Sequence, residues 1–171
     1  IGLDTFLAEH KQPEAFQKQK DFFATQLEIA QHRQKPVLLH IRKAHADVLA
    51  LLKQQNFSYG GIAHAFSGGV EEAKAFVKLG FKIGVTGQIT NPNAKKLHRV
   101  VQELGPEHLV LETDCPDMTP LCCQSSTEQR TRNTPANLPY VLDGLAQSLQ
   151  MEQTALAEMI WQNSLQALHL A

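Results

Sequence analysis

The sequence predicts an α/β fold of parallel β-α units, and three observations carry that prediction. Short apolar runs alternate with helical stretches along the whole chain, the pattern of βαβ units with right-handed crossovers and helices over both faces of a sheet. Polar residues recur where the strands end, at Asp4, His40, His64 and Asp114. No Gly-x-Gly-x-x-Gly follows a strand, which argues against a dinucleotide-binding sheet. In a (β/α)8 barrel the C-terminal edge of the strands carries the active site. A full barrel runs to about 250 residues, and this chain has 171. The expectation is therefore the last two-thirds of a barrel, from the end of strand four to strand eight plus closing helices. Residues 1–171 read as one domain, and an opening Ile1 in place of methionine suggests an N-terminally incomplete protein.

The elements follow in order. Ile1–Asp4 reads as the tail of a strand, and a polar loop runs from there to Pro13. Residues 14–34 show helical spacing through Phe16, Phe23, Leu27 and Ala30. Lys35-Pro36 ends that helix, and Val37–Ile41 is an apolar strand. A second helix spans residues 44–55, and a strand spans 60–66, closed by Ser67-Gly68-Gly69. A helix over 71–79 ends at Gly80, its C′ residue, and Phe81–Val85 is the next strand. Residues 95–104 are helical, and 109–114 form the last strand. A long irregular loop, Pro116 to Pro135, precedes closing helices over 137–150 and 154–168; loops of that length in compact domains are usually functional or mobile.

Composition excludes several classes. Hydrophobic residues make up 43% and charged residues 19%, as in an ordinary globular protein. The formal net charge of −1 provides no global basic field for nucleic acid, although a nuclease that holds phosphates through metal ions needs none. No run reaches the ~18–20 apolar residues of a membrane span. The three cysteines, Cys115, Cys122 and Cys123, are odd in number and lack CxxC spacing. They therefore indicate neither a disulfide framework nor a zinc knuckle, and free thiols fit a cytoplasmic protein. A monomer is expected.

The candidate site centres on Leu109-Val110-Leu111-Glu112-Thr113-Asp114-Cys115-Pro116. Side chains alternate along a strand, so Glu112 and Asp114 share a face. Two acids at a buried strand end raise each other's pKa unless something positive sits between them. A metal ion would do so; capping or an arginine partner is the alternative. His40 and His64 end consecutive strands and would lie about 5 Å apart at the backbone if those strands pair. Either histidine alone could be a hydrogen-bonded structural residue. With Asp114 they make two imidazoles and a carboxylate, a donor set for zinc, manganese or a similar divalent ion. Arg42 lies on the same side as His40. Ser67-Gly68-Gly69 is either a helix cap or an anion-accepting helix start. Arg132 either fixes a phosphate or carboxylate or lies free on the surface.

These residues resemble a known family. Ile1-Gly2-Leu3-Asp4, Pro36-Val37-Leu38-Leu39-His40-Ile41-Arg42, His64-Ala65-Phe66-Ser67-Gly68, Gly80-Phe81-Lys82-Ile83-Gly84, Glu112-Thr113-Asp114-Cys115-Pro116 and Arg132-Asn133-Thr134-Pro135 occur in an order and spacing that resemble the TatD family of metal-dependent deoxyribonucleases. Within it the chain looks most like the YjjV-type branch. The resemblance implies a metal-dependent hydrolase TIM barrel with two divalent metal ions (Mg, Mn or Zn) and hydrolysis of DNA phosphodiester bonds, with 3′-end removal of nucleotides as one form. It implies His40, His64 and Asp114 as metal ligands and Asp114 and Glu112 as catalytic residues; Arg42 and Arg132 are the candidate contacts to substrate phosphate.

Departures accompany the resemblance. The chain contains no His-x-His, and the family's bridging glutamate would fall before Ile1, so three usual ligands are absent from this sequence. The polar, cysteine-bearing segment from Pro120 to Gln129 is unfamiliar against the family pattern and bears on substrate preference in that loop. Two rival expectations follow: a related barrel acting on an amide, lactone or phosphotriester, and, for the chain as given, an inactive fragment lacking the N-terminal ligands.

Overall fold

Strand order and helix placement follow from the β-α alternation. The protein is described by a computed structural model covering residues 1–126 and 131–170. Strands β1 (Gly2–Asp4), β2 (Val37–Arg42), β3 (Gly61–His64), β4 (Phe81–Val85) and β5 (Leu109–Leu111) form one parallel sheet in chain order. Helices α1 (Pro13–His32), α2 (His45–Gln54), α3 (Val70–Lys78) and α4 (Lys95–Leu104) connect them, and α5 (Leu138–Leu149) and α6 (Gln153–Ala167) close the chain. The strand order never reverses, so the sheet lacks the switch point of a doubly wound fold. It is the singly wound wall of a (β/α)8 barrel, five strands wide.

Local chemistry explains the element ends. Pro13 starts α1, where its missing N–H is no loss. Gly80 takes φ 86° immediately beyond α3, the left-handed C′ position that the sequence assigns to it.

The core lies between the sheet and its helices. Leu3, Leu39, Ile83 and Leu109 of the strands meet Phe23, Leu52, Phe76, Val100, Leu145 and Leu156 of the helices, all fully buried. Full burial of each such side chain contributes about 1.5–3 kcal/mol. The other face of the sheet is covered only in part, which departs from the expected two-sided cover. On β2 burial alternates, and Leu38, His40 and Arg42 are exposed while Val37, Leu39 and Ile41 are not. Near the other edge, Ile62, Val110 and Ala167 form a small separate cluster.

The two ends of the sheet differ in chemistry. Where β5 begins, Asn163 of α6 is buried and donates from Nδ2 to the Pro106 and Leu109 carbonyls, 2.8 Å to each. Lys82 Nζ donates to the Glu107 carbonyl at 2.6 Å beside it. That end is structural, and the candidate site residues Asp4, His40, His64, Glu112 and Asp114 gather at the C-terminal end.

Two expected strands stop early. β5 ends at Leu111 rather than Asp114, because its partner β4 ends at Val85. Glu112 N still donates to Val85 O at 3.0 Å, the last rung available. Asp114 then takes φ 54°, and Asp117 N closes the turn on Asp114 O at 2.8 Å. β3 ends at His64 rather than Phe66, and Ala65 turns the chain with φ 44°.

Candidate active site

Parallel pairing brings the strand ends together. His40 lies directly opposite His64 in the β2–β3 register, as the sequence predicts. Asp4 lies opposite Arg42 in the β1–β2 register. Alternation along each strand sets Gly2 and Asp4, His40 and Arg42, His64, and Gly84 on the face away from the helices.

Glu112 and Asp114 both close on His64. Its Nδ1 is 2.6 Å from Glu112 Oε2, and its Nε2 is 3.1 Å from Asp114 Oδ1. The second Glu112 oxygen accepts the backbone N–H of Ala65. The left-handed turn at Ala65 directs that N–H toward the carboxylate, and a non-glycine residue in that region is held there by its surroundings. Gly84 provides the space: a Cβ there would collide with Glu112 Oε1 and lie 3.1 Å from the Ala63 carbonyl. All three side chains are partly buried, with 26% of His64, 20% of Glu112 and 34% of Asp114 exposed. The hydrogen bond to Glu112 raises the His64 pKa above the usual imidazole range; burial opposes this, and the charges of both carboxylates add to the rise.

A second pair stands at the neighbouring strand ends. Asp4 Oδ2 is 3.1 Å from His40 Nε2, and Asp4 Oδ1 accepts Phe6 N at 2.7 Å. His10 Nδ1 lies 3.7 Å from Asp4 Oδ1. Burial tends to raise the Asp4 pKa, yet it falls below the usual range because the Phe6 N–H and the His40 and Arg42 side chains favour the carboxylate.

The anticipated residues are only partly united. His64, Glu112 and Asp114 meet, whereas His40 pairs with Asp4. Among the described residues no group of three or more His, Cys, Asp and Glu side chains is arranged to hold a metal ion. Arg42 stacks on Phe6, with Cζ 3.6 Å from the ring centroid. Arg132 is exposed. At the Ser67-Gly68-Gly69 turn, Gly69 N donates to Glu72 Oε2 at 2.6 Å, so the chain's own carboxylate supplies the cap. Part of the 116–135 loop, residues 127–130, lies outside the described residues.

The donor set still suits a divalent ion. Imidazole and carboxylate ligands match zinc or manganese. Histidine ligands typically donate their other ring N–H to a carboxylate, which fixes the tautomer. The His64–Glu112 contact has that form, with Nε2 and Asp114 left on one side of the ring.

Sequence reasoning passed over one organising residue. Asn133 is 2% exposed, and its Nδ2 donates to Thr113 O at 2.8 Å and Asp117 O at 2.7 Å, bracketing Asp114. Its own N–H donates to Pro116 O at 2.9 Å. The available signal was the asparagine in Arg132-Asn133-Thr134-Pro135, where attention goes naturally to the charge beside it.

Comparison with known proteins bears on this geometry. A family profile described as TatD related DNase matches residues 1–169. The uncharacterized metal-dependent hydrolase YjjV of Escherichia coli strain K12 is 42% identical over 118 residues, 69% of this chain and 44% of that protein. The 3'-5' ssDNA/RNA exonuclease TatD of Edwardsiella piscicida is 34% identical over 156 residues, 90% of this chain and 60% of that protein. The crystal structure of the E. coli K12 YjjV protein, a TatD homolog, superposes with a TM-score of 0.87 at 33% identity, covering 100% of this chain and 62% of that one. The chain thus spans about half the length of several curated relatives it matches.

Proposed function

The chain belongs to the TatD related DNase family, and from that premise we propose that its strand-end residues serve a divalent-metal-dependent hydrolase that cleaves phosphodiester bonds in DNA. The observation that carries this reading is His64 held by Glu112 through Nδ1, with Nε2 beside Asp114. His40, His64 and Asp114 would hold metal, and two ions, drawn from Mg, Mn or Zn, follow the family pattern. Mg²⁺ usually keeps several waters, so few protein ligands are compatible with its binding. Bound metal supplies polarisation of a phosphoryl oxygen and a lowered pKa for an attacking water.

The chain's own groups do the rest. Glu112 fixes the His64 tautomer and ring plane. Asp114 accepts the proton of the attacking water at Oδ1 or Oδ2. Asp4 orients His40. Arg42 and Arg132 contact substrate phosphate; the Arg42 guanidinium would leave Phe6 or use the face opposite that ring. The name of the E. piscicida relative supports single-stranded substrates and attack from the 3′ end. A cytoplasmic setting belongs to the same reading, since the three cysteines are free thiols; among the described residues no helix is long and apolar enough to cross a membrane.

The test is metal-loaded protein on 3′- and 5′-labelled single-stranded DNA. Shortening that needs the divalent ion is expected. No shortening, together with turnover of a lactone or phosphotriester, would replace this reading with that of a different hydrolase.

A further inference from the structure

The adjacent cysteines of the long loop stand apart from the strand-end site. Cys122 Sγ and Cys123 Sγ are 3.8 Å apart, close enough for one thiol to hydrogen-bond the other. Both sit in a single 3-10 turn, Leu121–Cys123, which starts after Pro120. That turn is anchored: Leu121 N donates to Thr90 Oγ1 at 2.7 Å, and Thr90 Oγ1 donates to Gly87 O at 2.7 Å. Cys123 N donates to Pro120 O at 2.9 Å. Cys122 is exposed and lines a cleft of about 450 Å³ with Ile89, Thr90, His98 and Tyr140. Two thiols therefore face each other in a held backbone turn, open to solvent.

Two outcomes compete for such a pair. A disulfide ordinarily spans Cα atoms 4.4–6.8 Å apart, whereas neighbouring residues joined by a trans peptide have Cα atoms 3.80 Å apart. Direct oxidation is thus geometrically disfavoured. An ion placed between the sulfurs avoids that constraint, because each S–ion bond replaces the short S–S link. Thiolates select soft ions, and donors held in advance lose little freedom on binding.

We propose that Cys122 and Cys123 form a chelating dithiol site for a soft, thiophilic ion of the trivalent-arsenical class. The reaction balances without an oxidant. With phenylarsine oxide, two S–H bonds break and two S–As bonds form. The arsenic–oxygen bond is lost, both thiol protons leave with that oxygen as one water, and arsenic stays trivalent.

The experiment treats the intact chain with phenylarsine oxide and reads the mass of the adduct. One phenylarsenic group per chain, less two hydrogens, is expected. It should persist in excess monothiol and leave on addition of 1,2-ethanedithiol. Cys122→Ser and Cys123→Ser should each abolish the monothiol-resistant adduct, and Cys115→Ser should retain it. The inference is overturned if the wild-type adduct washes out with monothiol, or if it survives in either of the first two variants. Circular dichroism of each variant separates loss of the site from loss of the fold. None of these readouts depends on the hydrolase reading.

Discussion

The Nδ1 atom of His64 lies 2.6 Å from Oε2 of Glu112, a contact between residues 48 positions apart in the chain. It joins the end of β3 to the first residue beyond β5 and skips β4, whose Gly84 provides the room. An acidic residue of this kind sets the imidazole's tautomer and orientation, leaving Nε2 for the Asp114 side.

Replacing the carboxylate by an amide tests that role. Glu112→Gln preserves size but removes the charge, so the His64 pKa should fall back toward its ordinary value of about 6.5. Affinity for Mn²⁺ should drop by about 10–100-fold. Histidine NMR titration and calorimetry would read these effects. An unchanged His64 titration would remove Glu112 from this role.

Asp114→Asn should leave the fold intact and lower metal-dependent cleavage of single-stranded DNA by about 10²–10⁴-fold, the usual contribution of a positioned proton acceptor. The comparison is turnover with circular dichroism as the fold control. Turnover near that of the unaltered protein would overturn the assignment.

Stability in the absence of metal should depend on His64 with a definite sign. Its folded pKa lies above the unfolded value because Glu112 and Asp114 favour the imidazolium. The folded state therefore binds the proton more tightly, and stability falls as pH rises wherever it holds more protons than the unfolded chain. The contribution is fully present below about pH 6.5 and is lost as pH climbs through the raised folded pKa. Urea midpoints across that interval, compared with His64→Gln, isolate it. A midpoint difference that does not change with pH would contradict the linkage.

Gly84→Ala tests whether the glycine creates the space for Glu112. The added methyl group meets Glu112 Oε1 and the Ala63 carbonyl. The backbone cannot yield easily, so Glu112 must leave His64. The expected outcome is a His64 titration resembling that of Glu112→Gln in a folded protein. A His64 titration matching the wild type would show that the sheet absorbs the methyl group.

Asn133→Ala removes the donor shared by Thr113 O and Asp117 O. Losing the hydrogen bonds to these part-buried carbonyls costs about 0.5–1.5 kcal/mol each, which thermal or urea unfolding would detect. Metal affinity should fall as well, because the turn that carries Asp114 loses its brace. A loss of stability with unchanged Mn²⁺ affinity would confine Asn133 to a structural role.

Much of the protein was legible from local pattern. The β-α alternation, the helix over Lys95–Leu104, the strand Phe81–Val85 and the cap at Gly80 follow from periodicity and backbone preference, which act within a few residues. The strand-end positions of His40 and His64 follow the same way, because parallel pairing of consecutive strands aligns equivalent ends. Local pattern could not decide where β5 stops. That depended on its partner: β4 runs out of ladder at Val85, so Glu112 makes the last rung and Asp114 falls on a turn. Nor could it show that Glu112 takes Nδ1 of His64 while Asp114 faces Nε2, that Asp4 claims His40, or that Asn133 holds the Asp114 turn. Each is a contact between residues distant in the chain, fixed by sheet register and by the room a missing side chain leaves. Residue types and their order determined which chemistry the strand ends carry; packing determined which atoms meet.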